Sequence, residues 1–375
     1  MIYKLGQVCS RLSSGKSISS KLISSKGTFP VYGGNGLRGY TEKYNFDGEC
    51  AIIGRQGAFC GNVRFFSGKA YMTEHAIVVC TDDKNDTRYL AYLLSSLHLG
   101  RLSGQSAQPG LSVKVLSQQE IDLPDLECQK KVSMVLSLLE KKISLNEMIN
   151  RNLSEQMQAI FGSICYSEME KGNKASLGDY LYIKGRIGWK GLKKEEYLSE
   201  SEYRIINGES LTVTGIDWNK AGYISEERYI ESPEIMLQEG DILISKDGTI
   251  GKIGYVNKLD KPTSVASGIF VVRNLKPEEV STVFIYCLLN SDYFKSFIAS
   301  RTEGSVIPHL YQKDFVTLEI PILSQEQIEL FNSTVVPLFE LFFSNQTENI
   351  RLAALRDSLL PKLMSGELDV SDLDI

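Results

Sequence analysis

The chain contains one ordered pattern twice, and a duplicated pattern must be satisfied twice by the same folding rules. Leu5-Gly6-Gln7 is echoed by Leu177-Gly178-Asp179. Gly104, with Ser106-Ala107-Gln108-Pro109-Gly110-Leu111, is echoed by Gly304-Ser305-Val306-Ile307-Pro308-His309-Leu310. Ile121-Asp122-Leu123-Pro124-Asp125-Leu126 then parallels Leu318-Glu319-Ile320-Pro321-Ile322-Leu323, each followed by a glutamine, Gln129 and Gln327. Finally Asn146, Asn150, Leu153 and Ile160 line up with Asn345, Asn349, Leu352 and Leu359 at a constant offset of 199. A chain of 375 residues has room for two or three cores.

Each half reads as a globular body followed by a long helix, which makes the fold α+β. Short apolar runs such as Cys50–Gly54, Ala76–Cys80 and Asp241–Ser245, set between glycine and asparagine turns, predict strands. Arg88–Leu97 and Val283–Phe297 predict helices on the same bodies. The first long helix is expected over about Glu127–Phe161, with an apolar stripe of Val132, Val135, Leu139, Ile143, Ile149, Leu153, Met157 and Ile160 and a polar break at Asn146. The second is expected over about Gln325–Leu360, with Ile328, Phe331, Leu338, Leu341, Ile350, Leu355 and Leu359, and a kink or interruption at Pro337. A helix of about 35 residues is roughly 50 Å long. An amphipathic helix of that length needs a partner for its stripe: the two pack on each other, or each lies on its own body.

The domain plan is therefore residues 1–126 as a first body, 127–170 as a spacer helix, 171–324 as a second body, and 325–375 as a second helix with an acidic tail. No apolar run approaches a membrane span and the start lacks a signal-peptide core, so the chain is expected in the cytoplasm. The 7 scattered cysteines and 3 separated histidines form no CxxC or metal-ligand spacing, so reduced, buried thiols and no cofactor are expected. The net charge of −5 hides an uneven distribution: residues 1–125 hold 14 basic against 10 acidic side chains, whereas 326–375 hold 3 against 9. The tail is expected to be solvated or to face a partner.

Several segments then resemble one family. Pro30-Val31-Tyr32-Gly33-Gly34-Asn35-Gly36-Leu37-Arg38-Gly39-Tyr40 and Ile53-Gly54-Arg55-Gln56-Gly57-Ala58-Phe59-Cys60-Gly61-Asn62-Val63 resemble the target-recognition domains of type I restriction-modification specificity subunits. Arg186–Leu192 and Ser245–Lys252 are similar to segments of the same domains, and Leu355–Leu368 looks like the family's closing conserved helix. The resemblance spans essentially the whole chain. It implies a non-catalytic subunit in which two similar recognition domains, separated by two antiparallel coiled-coil-like helices in a pseudo-twofold repeat, each read half of a split double-stranded DNA target. The implied partners are two methyltransferase subunits and, in the larger assembly, motor-nuclease subunits. One departure is that the first domain begins almost at Met1, leaving no N-terminal helical segment to join the closing helix.

Sequence is read by hydrogen bonds to base edges, and register is held by phosphate contacts. Under that resemblance the candidates in the first domain are Tyr32, Asn35, Arg38 and Tyr40 on one loop, Arg55 and Gln56 on another, and Ser103, Gln105, Ser106 and Gln108 on a third. In the second domain they are Lys184, Arg186 and Lys190, then Lys246, Thr249 and Lys252, then Arg301, Thr302 and Ser305. Tyr32 and Tyr40 fit equally well as core aromatics, Trp189 is read as a packing residue, and Glu195, Glu196, Glu200 and Glu202 as a solvent face.

Two other classes compete. Asp125, Glu140 and Lys142 fit a loose metal-dependent nuclease pattern, although helix periodicity puts the latter two on a wet face and the second repeat lacks the set. A two-domain adaptor binding only proteins is the other alternative. No Pro-Pro occurs for an amino-methyltransferase loop, and Gly15-Lys16-Ser17 has Ser10 where a phosphate-binding loop needs glycine.

Overall fold

The computed structural model describes residues 1–103, 110–172, 174–302 and 309–373. They form two compact units, residues 1–145 with 348–375, and residues 146–347.

The first unit contains β1 (Ile2–Lys4), β2 (Cys9–Ser14), β3 (Phe29–Gly33), β4 (Gly36–Thr41), β5 (Phe46–Gly54), β6 (Val63–Met72), β7 (Ala76–Thr81), α1 (Thr87–Ser96), α2 (Val113–Ser117), β8 (Glu120–Asp122) and the first part of α3 (Leu126–Glu170). Its main sheet has the order β2-β7-β5-β6-β3-β4, and β1 pairs with β8. The run Cys50–Gly54 is apolar at every position because both faces of β5 are covered. Ala51 and Ile53 join Ile77, Val79, Tyr89 and Leu94 on one side, whereas Cys50 and Ile52 join Phe46, Met72 and Val78 on the other.

The sheet coils tightly. Strand β6 ends beside the start of β5 (Ala70↔Phe46), yet β7 begins beside the end of β5 (Ala76↔Gly54). The link from Met72 to Ala76 reaches at most about 14 Å, roughly half the length of a nine-residue strand. Gly48 and Gly68, paired across β5 and β6 with φ of 128° and 120°, supply a bend that side-chain-bearing residues rarely adopt.

The second unit contains the rest of α3, β9 (Lys174–Ser176), β10 (Leu181–Gly185), β11 (Tyr203–Ile206), β12 (Leu211–Thr212), β13 (Gly215–Ile216), β14 (Gly222–Ile224), α4 (Glu226–Ile230), β15 (Ile242–Ser245), β16 (Ile253–Tyr255), β17 (Thr263–Val265), β18 (Ile269–Asn274), α5 (Thr282–Asn290), α6 (Asp292–Thr302), α7 (Gln312–Val316), β19 (Glu319–Pro321) and the first part of α8 (Gln325–Ser365). The sheet β10-β18-β15-β16 is again covered on both faces: Ile242, Ile244 and Val272 point into one core, Leu243 and Val271 into the other. The predicted helix Val283–Phe297 is two helices, α5 and α6, divided at Ser291, whose hydroxyl donates to Leu288 O and accepts from Phe294 N.

The repeat is visible as bonding. β1–β8 and β9–β19 form the same antiparallel pair, and Leu5 N→Gln119 O (2.9 Å) matches Leu177 N→Leu318 O (2.8 Å). The Leu-Gly echo has a steric cause. A β-carbon on Gly6 would lie 3.2 Å from Ser117 Cβ and one on Gly178 2.7 Å from Val316 Cα, at the ends of α2 and α7. The offset of 199 also corrects the glutamine match. Helices α3 and α8 start at Leu126 and Gln325, so Gln129 corresponds to Ile328, and Cys128 to Gln327. Cys128 N is capped by Asp125 Oδ1, and Gln327 N by Ser324 Oγ.

Both long helices exceed expectation, at 45 and 41 residues, and within each unit a segment of α3 runs antiparallel to a segment of α8. In the first unit Val132 and Leu136 share a core with Leu363, while Lys142 pairs with Glu348 at 3.2 Å. In the second, Met157 and Phe161 share a core with Phe331, Val335 and Phe339, and Gln327 donates to Glu168 at 2.6 Å. Pro337 does not interrupt α8. It lies on the exposed side, where the carbonyl it leaves without a partner meets water, while Val335 and Phe339 remain buried on the other side. Asn146 is not a break either: it and Asn150 are buried in the seam, whereas Ile149 is 44% exposed. The acidic tail is only partly solvated, because Val370 is buried in the first core and Lys131 Nζ donates to Ser371 O at 2.6 Å.

Candidate nucleic-acid interface

In the first unit the β3–β4 turn Gly34-Asn35 rests on the end of β5. A β-carbon on Gly34 would lie 3.1 Å from His75 O and 3.6 Å from Arg55 N. Arg55 is held by its backbone N–H to His75 O (3.0 Å) and its carbonyl from Leu111 N (2.8 Å), and its Nη1 reaches Glu74 O at 3.4 Å. Gln56 is exposed and bridges to Gly110. The structure thus brings the exposed Asn35 turn onto Arg55 and Gln56, while Arg38, also exposed, lies against Gly33 on the same hairpin. Ser103 is half-buried and donates to Gly100 O at 2.7 Å. Gln105, Ser106, Gln108 and Ser305, and the side chains of Trp189 and Thr302, lie outside the described residues.

Tyr32 takes the core-aromatic role. Its ring packs on Phe66 at 5.1 Å, and burial, followed by the neighbouring Tyr40, pushes its phenol pKa up. Tyr40 is half-buried and pairs through its backbone with Ser24. Sequence reasoning missed Arg64. It is exposed at the start of β6, and its guanidinium lies over Gly36, where any β-carbon would collide with it. Gly36, with φ of 92°, leaves the space that the guanidinium fills, and no pattern in the sequence points from the one to the other.

In the second unit one end of the sheet gathers the candidates, since Gly185 pairs with Phe270 and Ser245 with Ile269. Lys246 occupies the place of Arg55: its carbonyl accepts from Leu310 N (3.1 Å), and its ammonium lies 4.8 Å from the centre of the Phe270 ring. Thr249 is exposed on the β15–β16 loop, and Lys252 Nζ caps Gly208 O at 3.1 Å. Lys184 lies 5.9 Å from the centre of the Tyr182 ring, and Arg301 5.2 Å from that of Phe297.

Arg186 is a correction. It is 3% exposed, and its guanidinium is spent on Val265 O, Ser232 Oγ and Ser264 Oγ at 3.2–3.4 Å. Desolvation, then the nearby Arg228, lowers its pKa. It struts the domain interior and does not present its fork to a ligand. Lys190 similarly turns back to donate to Glu231 O at 2.5 Å. Of the acidic set, Glu195, Glu200 and Glu202 are exposed, while Glu196 is drawn in to Arg228 at 2.9 Å.

The nuclease triplet is dispersed. Asp125 precedes α3 and caps it, whereas Glu140 accepts from Tyr92 Oη at 2.6 Å and Lys142 pairs with Glu348. Fifteen residues of helix place Asp125 and Glu140 about 22 Å apart, too far to share one metal ion. All seven cysteines are free thiols, and burial pushes Cys50, Cys165 and Cys287 up to about 12.

The type I restriction modification DNA specificity domain matches this chain twice, over residues 1–155 and 167–331. The chain belongs to that family. Helix α3 joins the two matched segments. The chain is 28% identical over 309 residues to a type I restriction enzyme specificity subunit, MjaIX, of Methanocaldococcus jannaschii, covering 76% of this chain and 70% of that one. It is 40% identical over 108 residues to the EcoprrI specificity subunit of Escherichia coli, a match spanning 29% of this chain and 27% of that one. Its fold is similar to that of the type I restriction-modification S subunit from M. genitalium, with a TM-score of 0.65 at 20% identity over 97% of this chain and 95% of that one.

Proposed function

We propose that this chain is the sequence-reading, non-catalytic subunit of a type I restriction-modification complex, and that it recognises a two-part double-stranded DNA target. One half would be read by the body within residues 1–126, through Asn35, Arg38, Arg55, Gln56 and Arg64, with Ser103, Gln105, Ser106 and Gln108 on the adjoining loop. The other would be read by the body within 171–324, through Lys184, Lys246, Thr249, Lys252, Arg301, Thr302 and Ser305. The helical segments 127–170 and 325–375 serve as spacers and dock two methyltransferase subunits, with motor-nuclease subunits joining the full assembly in the cytoplasm. No helix among the described residues is long and apolar enough to cross a membrane.

One observation carries this reading. The same strand end, bonded to the same returning segment, recurs in both units with a cation at its head: Arg55 bonded to Leu111 and Lys246 bonded to Leu310. Two equivalent rims with different side chains are what a split, asymmetric target requires. Methylation mapping in the native host tests it. A two-part motif with a fixed gap that disappears on deletion of this gene is the expected result, and continuous or absent methylation motifs oppose it.

A further inference from the structure

His309 and Asp247 come from separate segments and meet on the rim of the second unit. Asp247 follows Lys246 at the end of β15, and His309 precedes Leu310, the residue bonded to Lys246 O. Nδ1 of His309 is hydrogen-bonded to Oδ1 of Asp247. A carboxylate can only accept, so Nδ1 carries a proton, and in the neutral form of the ring Nε2 is then the acceptor. Among the described residues nothing bonds to Nε2. The ring is fixed edge-on against Tyr311, with centroids 4.5 Å apart, and the side chain stays 29% exposed. Two lysines adjoin the pair: Lys246, next to Asp247 in the chain, with its ammonium 4.8 Å from the centre of the Phe270 ring, and Lys313, 5.3 Å from the centre of the Tyr311 ring on which His309 packs. These cations offset the repulsion that Asp247 alone would exert on phosphate. At the matching positions in the first unit Gln56 faces Gly110 in a backbone bridge, so neither carries an imidazole, and His75 nearby holds Arg55 through its backbone with its ring 3.5 Å from a Glu74 carboxylate oxygen.

We propose that His309 is a base-reading residue of the second recognition domain. Its Nε2 accepts a hydrogen bond from the exocyclic amine of an adenine or cytosine in the major groove, and Asp247 is the positioning residue that fixes tautomer and ring plane. The inference rests on the DNA-reading function proposed above and names one of its determinants. It also explains why the two halves need not read the same base: equivalent strand ends carry an amide in one unit and an oriented imidazole in the other.

The test uses the complex assembled with its methyltransferase partner and duplexes bearing the native target. Each adenine or cytosine of the second half-site is replaced in turn by purine or pyrimidin-2-one, which removes only the amine. At one position wild-type affinity falls about fivefold to tenfold, as expected for one lost hydrogen bond. His309→Ala shows that loss on the native duplex and none further on the amine-free one. Asp247→Asn, whose amide donates to Nδ1 and so moves the ring proton to Nε2, abolishes the same discrimination while unfolding at the wild-type temperature. A uniform loss on all duplexes in both variants makes the pair a structural latch and overturns the proposal, as does the absence of any amine-sensitive position. A wild-type complex indifferent to the native target removes the DNA-reading function, and this role with it. Intact preference in wild type and both variants removes the role of His309 alone.

Discussion

The side-chain amide of Asn345 donates to Oδ1 of Asn150 at 2.9 Å, with both residues 8% exposed, and Asn150 Nδ2 in turn donates to Phe342 O at 3.0 Å. The second bond has a counterpart at the offset of 199, Asn349 Nδ2 to Ile143 O at 3.4 Å, with the two helices exchanging donor and acceptor roles. Buried amides at such positions fix the register of a helix pair at a cost in stability. Asn150→Ala is expected to lower unfolding stability by about 1–3 kcal/mol, because it strands the Asn345 amide. The double change Asn150→Leu with Asn345→Leu is expected to recover most of that loss. Urea unfolding of both singles and the double decides, and strictly additive losses would refute the coupling.

Arg55 and Arg186 are expected to fail in opposite ways. Arg55→Ala should weaken specific DNA binding by the complex by about 1–3 kcal/mol and leave unfolding unchanged. Arg186→Ala should lower stability by about 1–3 kcal/mol, because Ser232, Ser264 and the Val265 carbonyl lose their donor. Binding isotherms and thermal melts on the same preparations separate the two.

Asp260 accepts both Nη atoms of Arg204, at 2.7 and 3.0 Å, and that hydrogen bonding holds its carboxyl below the ordinary aspartate value. A lowered folded-state value contributes stability above the unfolded aspartate value of about 4, and loses it as pH falls through the folded value. The Asp260 carboxylate is 69% exposed, so solvent screening keeps the effect small. Asp260→Asn should therefore flatten the acid limb of the melting-temperature profile below about pH 4 and leave its shape near pH 8 unchanged. An unaltered acid limb would count against the pair.

The thiols of Cys50, Cys165 and Cys287 are buried and poorly ionised. Alkylation at pH 8 should modify none of the three in the folded protein and all of them in 6 M guanidinium, as read by peptide mass mapping. Rapid native labelling at any of them would contradict the packing.

The duplication, the strands and the long helices were legible because each leaves a trace in the order of residues: the echo of Leu-Gly, the unbroken run Cys50–Gly54, the offset asparagines. What the sequence concealed depended on partners distant in the chain. Nothing local distinguishes Arg186, whose acceptors lie on residues 232, 264 and 265, from an exposed arginine. Asn146 read as a polar break because hydropathy cannot tell a buried amide from one in water. Pro337 read as a helix breaker because propensity ignores the core that holds Val335 and Phe339 on the opposite side. Arg64 and His309 went unnoticed because each matters through a neighbour, Gly36 and Asp247, that only folding supplies.

The first unit is assembled from residues 1–145 together with 348–375, so its core is finished by a segment that leaves the ribosome long after the rest of it. Until Leu363 and Val370 emerge, Val132 and Leu136 have no lining on one side. A nascent chain paused between residues 145 and 348 would hold a nearly complete sheet with an open apolar flank, the state in which a chaperone would find it. Trimming the acidic end would therefore damage the solubility of the opposite end of the sequence.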